Sequence, residues 1–236
     1  MNNVFPLVLV ICISLQNFLL ANSENPVEQI SDKITHEDIE PLFISLGSWC
    51  NVAINLRRQE MRKKAYPFDF IATVDCEKFL EIFLNDFRYF LDDEYLFIKD
   101  SHLFNEYYHI EFPHDFYSDP SSIDQFKKKY ERRISRFREI ENYKGKVYFI
   151  RSAFGESNNP QRYFRCVENI SISDTYALRL FDVLKNYFPQ IDFTLIICDI
   201  GLPSKKISEN IIRLQEVPDL NVINVEFGTK YDSSFK

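Results

Sequence analysis

The chain carries five cysteines and four histidines, the side chains best able to do nucleophilic chemistry, and Cys50 stands apart from the other cysteines. It closes the block Ser45-Leu46-Gly47-Ser48-Trp49-Cys50. Phe43 to Leu46 predicts a short buried strand, Gly47-Ser48 a tight turn, and Asn51 to Met61 a helix. A thiol at that helix start meets unpaired N–H groups and the positive end of the helix dipole, both of which favour a thiolate. Cys50 is therefore the first candidate for a nucleophile that attacks a carbonyl carbon.

Such a nucleophile needs a base and a group that orients the base. His36 falls in a polar leader and His102 in a polar loop, while His109 lies on the extended, aromatic stretch Tyr107–Phe112. His114 follows Pro113 and precedes Asp115, in an aromatic setting suited to excluding water. His114 is the expected base and His109 the alternative, against the ordinary reading of a loop histidine held by a hydrogen bond. Asp115 is the nearest orienting carboxylate in sequence, with Asp69 and Asp199 as other choices. Ser48 and the Cys50 amide are candidate oxyanion donors, and plain turn chemistry is the competing role for Ser48. The segment Tyr66-Pro67-Phe68-Asp69-Phe70 reads either as a turn that plugs the core or as a pocket wall with Asp69 pointing in.

Other chemistries lack their motifs: G-x-S-x-G, H-E-x-x-H, the Walker loop and G-x-G-x-x-G are all missing from the sequence. No two cysteines stand at C-x-x-C spacing, so neither a zinc site nor any other metal or cofactor is expected. Asp92-Asp93-Glu94 reads as a solvated helix edge, with a divalent cation as the less common use. Cys76 and Cys166 form a conceivable disulfide in an exported protein, and Cys198 reads as an inert core thiol.

The elements that must position these groups alternate. Apolar stretches at 43–46, 147–150, 193–198 and 221–225 predict strands. Cys76 to Phe87, Ile123 to Ile140, Asp174 to Phe188 and a segment near Ser204 to Leu214 predict helices. Strands alternating with amphipathic helices predict an α/β fold, a mainly parallel sheet with helices on both faces in a Rossmann-like three-layer arrangement. Ligands gather at the carboxyl ends of strands in such sheets, which there offer Ser48, Cys50, Arg151, Ser152, Asp199 and Glu226. Arg151 and Asp199 either line a cleft with the thiol or simply pair with each other.

Composition sets the outer limits. With 45% hydrophobic and 16% aromatic residues the chain suits a packed globular core, and a net charge of -7 argues against general nucleic-acid binding. Lys127, Lys128, Lys129, Arg132, Arg133, Arg136 and Arg138 crowd one helix, most simply as its solvated face and alternatively as a site for an acidic ligand or membrane surface. Val4 to Ile13 is apolar and Ala21-Asn22-Ser23 is small, the pattern of a secretory signal, although no Lys or Arg precedes Lys33. The expected organisation is a signal peptide at 1–23, a polar leader at 24–41 and one α/β domain at 42–236. The mature chain is then exported, without a stable membrane span. Asn169-Ile170-Ser171 is a glycosylation sequon, meaningful only in a eukaryotic secretory pathway.

Taken together, Ser45–Cys50, Leu56-Arg57-Arg58, Tyr66–Phe70, His114-Asp115 and Phe149-Ile150-Arg151 resemble an uncharacterised microbial family catalogued as papain-like cysteine peptidases. The resemblance covers about residues 42 to 200, and it implies Cys50 as nucleophile and His114 as its partner. The expected function is a cysteine peptidase or acyl transferase acting on an unknown peptide or small molecule. Two alternatives stand beside it: a transferase that binds a nucleotide or sugar-phosphate through Arg151 and the basic helices, and a non-catalytic exported binding module.

Overall fold

The computed structural model describes residues 39–48, 50–114, 122–153, 172–199 and 202–215, and from Glu40 onward these belong to one unit of the chain. Strand β1 (Leu42–Ser45) leads through Gly47 into α1 (Asn51–Arg58). A short β2 (Ala72–Thr73), α2 (Cys76–Leu84), and strands β3 (Leu96–Lys99), β4 (His102–Asn105) and β5 (Ile110–Phe112) follow. The long α3 (Ser122–Arg138) precedes β6 (Val147–Ser152), then α4 (Asp174–Tyr187), β7 (Phe193–Cys198), β8 (Lys205–Ser208) and β9 (Ile211–Leu214).

The main sheet runs β1-β6-β7-β9-β8, with β1, β6, β7 and β9 parallel and β8 antiparallel at the edge. Every residue of β6 and β7 is buried, the pattern of parallel strands covered on both faces. Alternation along these strands divides the core. Phe43, Tyr148, Ile150, Ile196 and Ile212 pack with Val52 and Leu56 of α1. Ile44, Phe149, Leu195 and Ile197 face the other way, onto Phe137 of α3 and Leu180 and Leu184 of α4.

Three features depart from the sequence expectations. Residues 204–214 form the β8–β9 hairpin instead of a helix. Ile211 packs in the larger core and Ile212 in the smaller one, so consecutive β-branched residues are used on opposite faces, as only a strand allows. The strand expected at 221–225 lies outside the described residues, and the fourth parallel strand is β9. A second sheet, β2-β5-β4-β3, is antiparallel throughout. Its β3–β4 hairpin turns on Asp100 and Ser101, both at positive φ (49° and 67°), the backbone of a tight hairpin turn made without the usual glycine. Tyr107 to His109, expected to be extended, belongs to the turn that leads into β5.

Phe68 is the hub between these parts. Fully buried, its ring meets Phe79, Phe83, Phe87, Phe90 and Phe137 at centroid distances of 5.2 to 6.4 Å. The Tyr66–Phe70 segment is thus the core-plugging turn of the two readings. The basic helix α3 is also largely occupied within the fold. Lys127 pairs with Asp93, Arg133 lies over Tyr130, Arg136 donates to the Ala65 carbonyl, and Arg138 pairs with Asp86. Among the described residues no helix is long and apolar enough to cross a membrane.

Candidate active site

Since β1, β6 and β7 run parallel, Cys50, Arg151 and Asp199 all follow or end strands at the same edge of the sheet. The turn after β1 is tied to the end of β6. Gly47 (φ 78°) accepts the Ser152 N–H at 2.9 Å, and the Ser48 hydroxyl donates to the Ser152 carbonyl at 3.0 Å. On the far side, the Ser48 carbonyl accepts the Thr73 N–H at 3.1 Å, which links the turn to β2 and so to the second sheet. Ser48 is buried and its hydroxyl proton is used in this turn, which corrects its reading as an oxyanion donor.

Cys50 caps α1 with an already helical backbone, and its carbonyl accepts the Ile54 N–H at 2.9 Å. Its thiol makes no capping bond, while the Asn51 side chain takes the Val52 N–H at 2.8 Å. Half-burial pushes the Cys50 thiol above its ordinary value, against a weaker opposing hydrogen bond from its own backbone N–H. The expectation of a lowered value at this helix start is therefore corrected: lost hydration outweighs the opposing backbone hydrogen bond.

The histidines are placed as follows. His114 is exposed just beyond β5, its ring edge-on to Phe70 at 6.4 Å, and Asp115 lies outside the described residues. His109 puts Nδ1 3.1 Å from Asp75, and His102 puts Nδ1 2.8 Å from Glu111. Among the described residues no imidazole is hydrogen-bonded to the Cys50 sulfur. The alternative base, His109, instead stands beside the start of α2, because Asp75 is the cap of that helix and accepts the N–H groups of Glu77 and Lys78 at 3.0 Å.

The carboxylates and the arginine are internal. Asp69 is 1% exposed; its Oδ2 accepts Arg62 Nη2 at 2.6 Å, Arg62 Nε at 2.8 Å and the Tyr66 N–H at 2.9 Å. Burial pushes its carboxyl upward while Arg62 and the Tyr66 N–H pull it back. It braces the aromatic turn and does not point into a pocket. Asp199 is buried and accepts the Ile172 N–H at 2.9 Å, next to the start of α4. Arg151 makes no ion pair with it. The Arg151 guanidinium turns into the fold, donating to the Leu46 carbonyl at 2.6 Å and to Thr73 Oγ1 at 2.9 Å, 3.7 Å above the Phe79 ring. A cleft shared by Cys50, Arg151 and Asp199 is thus limited to a common sheet edge, and the Arg151 and Asp199 side chains serve the interior.

Sequence reasoning passed over the neighbours of Arg151. Cys76, the first residue of α2, is a free, half-buried thiol beside the guanidinium, and Tyr176 from the first turn of α4 reaches the same place. Burial pushes the Cys76 thiol up, with Arg151 the strongest opposing influence and the Tyr176 hydroxyl next. Two local cues mark the helix starts that deliver these residues: Asp75 and Ser173, each capping its own helix. Among the described residues no group of three or more His, Cys, Asp or Glu side chains is arranged to hold a metal ion. Asp93 of the acidic cluster pairs with Lys127 instead.

A protein-family model described as "Putative papain-like cysteine peptidase (DUF1796)" matches residues 41–171. An uncharacterized protein of Acanthamoeba polyphaga mimivirus is 28% identical over 141 residues, which are 49% of this chain and 63% of that protein. The chain therefore spans less than two-thirds of the length of this relative. No solved structure matches the chain.

Proposed function

The chain belongs to this family of papain-like cysteine peptidases, and from that premise we propose that it is a thiol-dependent hydrolase acting through Cys50. The observation that carries the reading is the position of Cys50: a half-exposed thiol at the junction of a parallel strand and a helix N-terminus, on the sheet edge where ligands collect. Its attack on a substrate carbonyl forms an S–C bond and a tetrahedral oxyanion, and collapse expels the leaving group to give an acyl-enzyme that water hydrolyses. A thiol raised by burial rests protonated, so the reaction depends on a base that removes the proton as substrate arrives. His114 is assigned that role, with Asp115 orienting it. Substrate binding has to bring the imidazole and the sulfur together, as catalytic hydrogen bonds often tighten only in the complex. The apolar Val4–Ile13 stretch and the small residues after it support an exported mature protein.

A library of fluorogenic peptide amides and esters tests the reading. Turnover should vanish in Cys50→Ala and fall by about 100-fold or more in His114→Ala, in line with loss of general-base catalysis. Turnover that survives Cys50→Ala in a folded protein would place the chemistry elsewhere.

A further inference from the structure

The candidate nucleophile and its assigned base belong to different sheets. Cys50 follows β1 of the main sheet, and His114 lies two residues beyond β5 of the second. Among the described residues the two sheets share no strand, so the spacing between thiol and imidazole depends on what joins them. Thr73 is such a joint. It pairs with Ile110 of β5, and its N–H donates at 3.1 Å to the Ser48 carbonyl, two residues before Cys50.

Arg151 closes the same joint from the main sheet. Its Nη1 donates to the Leu46 carbonyl at 2.6 Å and to Thr73 Oγ1 at 2.9 Å, so a single nitrogen bridges the end of β1 and β2. The Phe79 ring of α2, 3.7 Å from the guanidinium carbon, supports it by a cation–π contact. Gly47 leaves the room: a Cβ there would lie 3.5 Å from both Nη1 and Thr73 Oγ1. Ser152 completes the grip, its N–H donating to the Gly47 carbonyl at 2.9 Å and its hydroxyl to Asn51 Oδ1 at 3.2 Å. The turn that delivers Cys50 is thus held on both sides of the thiol.

Arg151 is 1% exposed, both of its acceptors are neutral, and its Nε–H has no acceptor among the described residues. Buried charge held in this way is a poor source of stability, and apolar residues of similar volume often replace it without loss. What an apolar residue cannot supply is direction. A rigid fork of N–H groups sets the end of β1 at a fixed distance from β2.

We propose that Arg151 and Thr73 are positioning residues, which fix the turn carrying Cys50 against the sheet carrying His114. Neither touches substrate. Their catalytic consequence rests on the Cys50–His114 reading, whereas the joint itself stands on these contacts. A misplacement of about 1 Å between reacting groups can cost about 100-fold in rate, so a small slackening of the joint is readable in turnover.

The test uses the full chain, the peptide substrate that the parent turns over best, and amide hydrogen exchange read by mass spectrometry. Thr73→Val keeps the side-chain shape and the backbone N–H and removes only the hydroxyl. It should lower kcat about fivefold, the worth of one hydrogen bond, with KM unchanged. Thr73→Ser returns the hydroxyl and should restore kcat. Exchange across residues 46–51 should quicken by a similar factor in Thr73→Val, while β7 exchanges as in the parent. Arg151→Met should lower kcat further, and the two Thr73 variants carry the test if it does not fold. Exchange needs no turnover: if activity persists in Cys50→Ala the peptidase reading falls, and faster exchange of the turn in Thr73→Val still upholds the joint. Unchanged exchange across 46–51, a change in KM alone, or failure of Thr73→Ser to restore kcat overturns the proposal.

Discussion

Replacing Asp69 by alanine separates a structural carboxylate from a catalytic one. Asp69 Oδ2 is the common acceptor for two Arg62 nitrogens and the Tyr66 N–H, at 2.6 to 2.9 Å. Removing one member of a buried ion pair costs about 3–5 kcal/mol, because the remaining charge loses its partner without regaining water. Arg62 is 13% exposed and lies 5.0 Å from the centre of the Phe70 ring, so it recovers some hydration and keeps a cation–π contact. That places the loss near the lower end, about 3 kcal/mol, including the stranded Tyr66 N–H. With a urea dependence of about 2 kcal/mol/M, the unfolding midpoint of Asp69→Ala should drop by roughly 1.5 M. Asp69→Asn retains an acceptor oxygen and should drop by about half as much. In a double-mutant cycle with Arg62→Met, the two losses should fall short of additivity by more than about 1 kcal/mol. A midpoint within about 0.5 M of the parent, or lost turnover at undiminished stability, would refute the bracing role and return Asp69 to the candidate catalytic groups.

Phe68→Ala removes the hub of the aromatic core and should cost about 4 kcal/mol, lowering Tm by roughly 12 °C in a calorimetric scan. Gly47→Ala should destabilise by about 1–2 kcal/mol in urea titration, since φ of 78° strains any side chain although the nearest atoms leave ordinary room at 3.5 Å; a neutral effect would show that the turn relaxes freely. Alkylation of Cys50 by iodoacetamide should be slow at pH 7 and keep rising beyond the ordinary thiol value of about 8.5, because a raised pKa leaves little thiolate at neutrality. A rate that levels off below pH 8 would mean that the helix start does stabilise the thiolate.

Much of the architecture follows from local pattern. The stretches 43–46, 147–150 and 193–198 are apolar but for Ser45 and Thr194, and each becomes a parallel strand because only a sheet covered on both faces can bury every residue of such a run. The 3.6-residue spacing of Phe126, Tyr130, Ile134 and Phe137 likewise specifies α3 and the face it buries. Where the pattern is short it is ambiguous. Ile211-Ile212-Arg213-Leu214 fits a helix turn or a strand equally, and the choice falls to β7, whose open edge takes β9 as a parallel partner.

The sequence by itself determined the parallel strands β1, β6 and β7, the long helices, the position of Cys50 at a strand-to-helix junction and the turn that carries Asp69. Tertiary structure alone decided what those groups experience. The Cys50 thiol is raised by desolvation, Asp69 is taken by Arg62, and Arg151 turns inward to meet Cys76 and Tyr176. The reason is range: periodicity reports on residues a few positions apart, whereas hydration and charge partners depend on neighbours that only the folded chain brings together. Arg151 reaches Thr73 across 78 positions of sequence, a distance over which no local pattern extends.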